Sequence, residues 1–536
     1  MKNLNKTIVS LLLVSVFAAC SNSLEERVYS DVLDETYQYQ TDDFNSNIAG
    51  AYNPLRSDAQ MYYWWVEELA GCCVVTPLNV TGFGGDYLLI HYHSWNSTLG
   101  YFNNIWSSYY QGVVLCNYAL DRIRRDVFPD ITEKDKLEGI AELRALRAFY
   151  YWRLCDGFGN IPLATTTSQD MPEQSPRKDI YDFIVSELLE AIPDLSKNQD
   201  ETTYGRFNEW AARCLLANTY LNAEVYAGTP QWEACLEQCN LIIEGGKCDL
   251  SPNFRDCFRA EGMENSKEVL MIIPYDYDRG VYANWMWMNA WHKELQKKYL
   301  TNNIPNEAGG QRAVPQYIDL YEPGDGRLDD TWLHGLQYDI NGNQLYGQYD
   351  LKGEPLNFTK ELPDGKYVNE MQGYRMNKYE VEVGANWSSS TDIALMRYAE
   401  VLLMKAECLL RLGKPGAGAL VTEVRKRNFT NPADAIVTDD ELKNMDSSFE
   451  WGYVEDYKIT DKGDQTPVQF GQLFDEWLRE FAYECYSRRT MIRFGVYTTK
   501  SWLSHKPNGD YRALYPIPEP ALTANPQLKQ NPGYTN

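Results

Sequence analysis

Three stretches of this chain repeat one spacing, and that spacing restricts the fold more than any other feature. Ala141, Ala145, Ala148 and Trp152 fall at i, i+4, i+7 and i+11, as do Trp210, Cys214, Ala217 and Leu221, and Leu395, Ala399, Leu402 and Ala406. The spacing puts each set of four on one face of a helix. The small residues in each stripe let neighbouring helices approach closely. Helices of that kind, packed in adjacent pairs, are the unit of a tetratricopeptide-like solenoid, although no strict repeat of about 34 residues is visible. The expected fold is mainly α: tetratricopeptide-like helix-pair repeats with long irregular loop insertions and a few short strands. Helices are expected near 103–125, 136–156, 177–194, 207–226, 231–244, 391–412, 415–427 and 472–494. Gly157 and Gly159 stop the second, and Gly413 and Pro415 punctuate the pair at 391–427. Between about 250 and 390 the stripes disappear and Gly, Pro, Asn and Tyr increase, which predicts irregular chain with short strands such as Glu268–Ile273. The stretch 58–102 reads as similarly irregular.

The formal charge of the 536 residues is −25, and no dense Lys/Arg stripe appears, which argues against a nucleic-acid partner. Polyanionic ligands are disfavoured for the same reason, although a local basic pocket would override net charge. At the N-terminus, Lys2 and Lys6 precede a largely apolar run from Ile8 to Ala19, too short to span a bilayer as a helix of ~20 residues. It ends Phe17-Ala18-Ala19-Cys20, which resembles a lipobox. Residues 1–19 are expected to be a lipoprotein signal peptide and Cys20 the lipidated residue; an ordinary signal peptide with a chance cysteine is the alternative. No later segment is apolar enough to span, so lipid is the expected membrane anchor. Cys116, Cys155, Cys214, Cys408 and Cys485 sit singly in helical patterns and read as core. Cys235, Cys239, Cys248 and Cys257 lack zinc-knuckle spacing, and a disulfide involving Cys248 and Cys257 stays open.

Four segments resemble the SusD/RagB family. They are LRALRAFYYWRLCDGFGNIPL from Leu143, RYAEVLLMKAECLLRLG from Arg397, LREFAYECYSRRTMIRFG from Leu478, and the proline-rich LYPIPEPALTANPQLKQNPGY from Leu514. In the third, Cys485 and Tyr486 stand where the family often has Gly and a polar residue, and Thr490 where it often has Asp. The order of the segments is that of the family, and the likeness extends over nearly the whole chain. It divides the mature chain into an N-terminal SusD-like region, 20–250, and a C-terminal SusD/RagB region, 251–536. It implies a helical-repeat fold whose irregular insertions build a ligand site. It also implies an outer-membrane, surface-exposed glycan-binding lipoprotein that delivers oligosaccharide to a SusC-like TonB-dependent transporter. Peptide capture, as in the RagB branch, and a helical-repeat scaffold for protein interaction are the alternatives. Arg397, Glu400, Glu407, Arg479, Glu480, Glu484 and Arg493 read as helix-packing ion pairs.

A neutral sugar presents apolar C–H faces and a ring of hydroxyls, met by aromatic rings and planar polar side chains. Residues 61–110 hold 13 aromatics and residues 275–299 hold 7, about twice the density of the chain. The ligand-binding candidates are Trp64, Trp65, Tyr87 and Trp95 in the first segment and Tyr282, Trp285, Trp287 and Trp291 in the second. Asp86, Asn96 and Asn289 are the polar partners. Phe102, Trp106 and Tyr110, at helical spacing, read as core. The two segments are expected to converge on one exposed platform. His91 and His93 would share a face of a strand but lack a third metal ligand. No cofactor is implied. Calcium is kept as a minor alternative at Asp276 and Asp278, while Asp339-x-Asn341-Gly342-Asn343 reads as an Asn-Gly turn. No nucleophile motif stands out, and pairs such as Glu67-Glu68 cannot be placed across a glycosidic bond from sequence, so a binding protein rather than an enzyme is expected.

Overall fold

The computed structural model describes residues 37–57, 62–79, 85–168, 171–280, 284, 286, 290–301, 310–386 and 389–535. Cys20 and the leader before it lie outside these. The principal helices are α1 (Asp43–Gly50), α2 (Asn53–Ser57), α3 (Tyr63–Ala70), α4 (Asp86–His91), α5 (Gly100–Arg124), α6 (Glu133–Phe158), α7 (Arg177–Ala191), α8 (Glu209–Leu221), α9 (Trp232–Gly245), α10 (Tyr398–Arg411), α11 (Ala417–Lys426), α12 (Gly471–Phe481) and α13 (Ser487–Arg493). From α5 to α11 each of these helices packs on the next, so a row of paired helices forms the tetratricopeptide-like body. The row continues from α9 directly to α10, and the chain between them forms the irregular insertion.

Local chemistry explains where these helices start and how closely they pack. Thr132 caps α6 by accepting the Asp135 amide at 3.1 Å, and Gly159 ends it with φ 73°. Asn208 caps α8 through the Ala211 amide at 2.9 Å. From Ala141 onward nearly every α6 residue is buried, which makes it the central helix. Gly112 lets α5 reach it: a Cβ there would stand 2.4 Å from the Tyr150 ring. The eleven described cysteines are all buried free thiols, so Cys248 and Cys257 are not joined.

The structure departs from the sequence reading in three places. The segment 391–397 is not the start of a helix. Ile393–Arg397 (β2) pairs antiparallel with Val269–Ile273 (β1), so Leu395 belongs to a strand and α10 begins at Tyr398. The stretch 58–102 contains two helices. Every residue of α3 is buried, so it has no polar face and leaves no stripe to read. Finally, the expected helix over 472–494 breaks between α12 and α13, with Tyr483 and Cys485 in the left-handed region. The buried carbonyls that the break leaves without helical partners are satisfied from outside: Lys378 Nζ donates to Glu480 O at 2.9 Å and Ala482 O at 2.8 Å, and Tyr317 donates to Leu478 O.

The break turns Glu484 into the interior, where an extended ion network holds the C-terminal half together. Arg397 donates to Glu268 at 2.7 Å, Glu480 at 3.0 Å and Glu484 at 2.7 and 2.8 Å. Arg327 pairs with Asp325, Glu476 and Glu480, and Arg479 with Glu476. Glu407 receives Arg411, Arg493 and the Trp477 indole. Most of the family-motif charges are therefore packing ion pairs. Glu400 differs: its oxygens accept from Asn218 and Cys214 and form no ion pair among the described residues.

Candidate functional site

The described aromatics of the first segment divide sharply by burial. Trp64 is 1 % exposed, stacks on Tyr483 at 5.5 Å and donates to the Tyr483 carbonyl at 3.0 Å. Trp95 is also 1 % exposed and donates to Tyr534 Oη at 2.7 Å, between Phe102 and Tyr515. In the second segment Trp291 is 3 % exposed and packs on Tyr299 at 5.7 Å. These three rings are core rather than platform. A tryptophan is large enough to close an interior gap between distant segments, and aromatic density alone does not separate that use from an exposed one. Phe102, Trp106 and Tyr110 pack in or against the core as expected.

What faces solvent is a tyrosine cluster around one tryptophan. Trp65, 8 % exposed, lies at the base. Its ring meets Tyr87 edge-on at 5.3 Å and Tyr101 at 6.0 Å; Tyr87 and Tyr101 are 5.6 Å apart, and Tyr62 lies 6.5 Å from Tyr101. Tyr62, Tyr87 and Tyr101 are half-buried, and Asp86, the first residue of α4, is exposed next to Tyr87. Three elements hold the group: α3 supplies Trp65, α4 supplies Tyr87 and the first turn of α5 supplies Tyr101. Burial, followed by a hydrogen bond to Tyr101, pushes the Tyr87 hydroxyl far above its ordinary pKa, so it stays a neutral donor. Such a surface offers flat apolar rings with hydroxyls at their edges, which suits a pyranose. Sequence reasoning missed Tyr62 and Tyr101. The signal for Tyr101 was present, because it falls off the inward stripe of Phe102, Ile105 and Tyr109 on the same helix.

Asn96 is exposed, but its Oδ1 accepts the Thr98 amide at 3.0 Å and hydroxyl at 2.7 Å, so it shapes its own turn. Tyr282, Trp285, Trp287 and Asn289 lie outside the described residues. The roots of their segment are nevertheless firmly placed. Tyr275 Oη donates to the Arg56 carbonyl at 3.0 Å, which ties the start of the second aromatic segment to α2. Asp392 accepts the Tyr275 amide at 2.6 Å and the Tyr204 hydroxyl, and burial pushes its carboxyl up to about 6. Asn284 donates to the Thr391 carbonyl. His292 Nε2 contacts Glu370 Oε2 at 2.9 Å while its Nδ1 accepts the Glu294 amide, so the neutral tautomer carries its proton on Nε2. Burial opposes ionisation of Glu370, yet His292 and the amides of Gln348, Tyr349 and Leu351 hold its carboxyl down at about 2. Gln311 was also not singled out from sequence. It is buried, and neither polar atom of its side-chain amide has a partner among the described residues.

His91 and His93 do not share a strand face. His91 ends α4 and His93 follows in a left-handed turn. Both are buried against His505, whose ring lies 4.1 Å from that of His93 and 6.2 Å from that of His91, and burial pushes His91 and His93 down to about 3. No group of His, Cys, Asp or Glu able to hold a metal occurs among the described residues. Asp339 spends its oxygens on its own turn, accepting the Asn341 and Asn343 amides at 2.8 Å and Asn343 Nδ2 at 2.9 Å. Glu67 and Glu68 are not an open pair. Glu67 meets Arg488 and Tyr515, while Glu68 accepts the Cys485 amide and is pushed up to about 8 by burial.

Comparison with known proteins agrees with the fold. Residues 258–534 match the model of the SusD family, and residues 25–221 match a model described as starch-binding associating with outer membrane. The starch-binding protein SusD of Bacteroides thetaiotaomicron is 26% identical over 468 residues, covering 78% of this chain and 76% of that one. SusD-like protein P25 of Formosa agariphila is 23% identical over 574 residues, covering 100% and 99%. Among solved structures, a laminarin-binding SusD-like protein superposes with a TM-score of 0.69 at 19% identity, covering 92% of this chain and 100% of that one. Surface glycan-binding protein A of Bacteroides uniformis superposes with a TM-score of 0.68 at 18% identity, covering 91% and 99%.

Proposed function

The chain belongs to the SusD family, and from that premise we propose that it captures an oligosaccharide at the cell surface and delivers it to a SusC-like TonB-dependent transporter. The observation that carries the sugar reading is the half-exposed cluster of Tyr62, Tyr87 and Tyr101 on Trp65. Asp86 is its hydroxyl-binding neighbour, and Tyr282, Trp285, Trp287 and Asn289 are proposed to complete the contact surface. Two relatives named for starch and laminarin support a polysaccharide-derived ligand. The reading is of a binding protein, with Cys20 carrying the lipid that tethers it to the outer membrane. No helix among the described residues is long and apolar enough to cross a membrane.

The test is a glycan array on the protein lacking residues 1–20, followed by titration of the best ligand into Tyr87→Ala, Tyr101→Ala and the double variant. Each stacked ring contributes ~1 kcal/mol, so losing both should weaken binding ~10–100-fold. Helical circular dichroism should persist, and added salt should change a neutral ligand's affinity little. An EDTA control separates this site from a calcium-assisted one at Asp276 and Asp278. Undiminished binding by the folded double variant removes the cluster from the site.

A further inference from the structure

A second cavity, of about 250 Å³, lies between α1, α2, the turn at Gly205–Arg206 and the end of β1. Its floor is apolar, built by Ile48, Leu55, Ile272 and Pro274, and its rim carries two guanidinium groups. Arg206 is already neutralised, since its Nε and Nη2 donate to Glu142 at 3.0 and 2.6 Å. Arg56 is not. Among the described residues its side chain has a single hydrogen bond, to Asn53 Oδ1 at 3.4 Å; its Nε is buried without an acceptor, and no carboxylate lies within ion-pair distance. Nε itself has no surface for a ligand to reach, but a ligand in the cavity that brings an anionic oxygen can pair with the rest of the guanidinium.

Size and charge narrow the ligand. The cavity is smaller than the ~300–1,000 Å³ that holds drug-sized molecules, so it suits a single ring. The adjoining cleft, of about 370 Å³, shares Gly205 and Ile272 with it and carries Asp200, Glu201 and Glu264. With three carboxylates against the one cation Lys267, that lining disfavours an anion relative to the Arg56 end of the combined groove. We propose that this cavity is a second saccharide site, specific for a pyranose that bears a carboxylate, with a C–H face on Ile272 and Pro274 and the carboxylate on Arg56. The proposal rests on the sugar-binding reading above and adds an anionic subsite that the overall charge of −25 conceals. Tyr275, which donates to the Arg56 carbonyl, links the cavity to the base of the second aromatic segment.

The experiment is calorimetric titration of the full-length protein in mild detergent with methyl β-glucuronoside, with methyl β-glucoside and with acetate. The glucuronoside should bind, and the uncharged glucoside and the ringless acetate should each bind about tenfold more weakly or worse. Arg56→Gln should lose about tenfold or more for the glucuronoside, Arg56→Lys should lose less, and both should melt like the parent. Absence of glucuronoside binding overturns the proposal. So does equal binding of glucoside or acetate, or an unchanged affinity in folded Arg56→Gln. Oligosaccharide binding that survives in Arg56→Gln but fails in the Tyr87 and Tyr101 double variant separates this subsite from the aromatic one.

Discussion

At the residue scale, burial decides which aromatics bind and which hold the fold. Trp95 shows the difference. Its place in an aromatic-rich loop made it a platform candidate, yet its ring fills the gap between α5 and the C-terminal tail, and its indole donates to Tyr534. Trp95→Ala should therefore cost about 3–5 kcal/mol of stability, from lost burial plus a cavity, and leave the Tyr534 hydroxyl without that donor. Urea or thermal unfolding measures this, and a parental melting temperature would return Trp95 to the surface. Tyr87 is the opposite case. Its ring meets Trp65 and Tyr101 and stays half-exposed, so its removal should be felt in ligand affinity more than in melting. Sequence could find the aromatic segments, because density is a linear property. It could not sort their members, because the atoms that bury Trp64 and Trp95 come from Tyr483, Tyr515 and Tyr534, far along the chain.

At the scale of elements, helices were legible where small residues recur at the helical period and illegible where they do not. The stripes at 141–152 and 210–221 mark α6 and α8 because their small residues recur at the helical period. In α3, eight residues long and buried throughout, no stripe of small residues recurs. The α12–α13 break was hidden for another reason: the groups that satisfy its carbonyls, Lys378 and Tyr317, come from the irregular insertion. Arg397, at the junction of β2 and α10, ties these elements to Glu268, Glu480 and Glu484. Arg397→Met should cost about 3–5 kcal/mol, since it strands buried carboxylates. Burial opposes ionisation of Glu268, but Arg427 and Arg397 hold it down at about 2. A depressed carboxylate contributes its full stability above its unfolded pKa and loses it as pH falls through the folded value. The deficit of the variant should therefore be largest near neutrality and shrink as pH falls from about 4.5 toward 2. Denaturant midpoints measured across that range check it, and a deficit independent of pH would mean that the charge of Glu268 is not what Arg397 stabilises.

At the scale of the whole molecule, a row of helix pairs carries long irregular insertions, while the proposed ligand cluster sits on α3, α4 and the first turn of α5. The proposed anchoring gives a direct test: Cys20→Ala should abolish lipid labelling and release the protein from membranes. From native membranes, the parent should co-purify in mild detergent with a large outer-membrane barrel. Labelling that persists in the variant would place the anchor elsewhere, and recovery of the parent only as a free monomer would count against the transporter partnership. By itself the sequence determined the mainly helical class, the close approach of small-faced helices, the family and the two segments rich in rings, because each is written in local spacing or in ordered motifs. Only the tertiary structure decided that Leu395 belongs to a strand, that Trp64, Trp95 and Trp291 are core, that Tyr62 and Tyr101 join Tyr87 at the surface, and that Arg56 lines a cavity with no counterion among the described residues. Each of these depends on what a distant segment brings alongside: a partner strand, a covering ring, or the cavity walls beside Arg56.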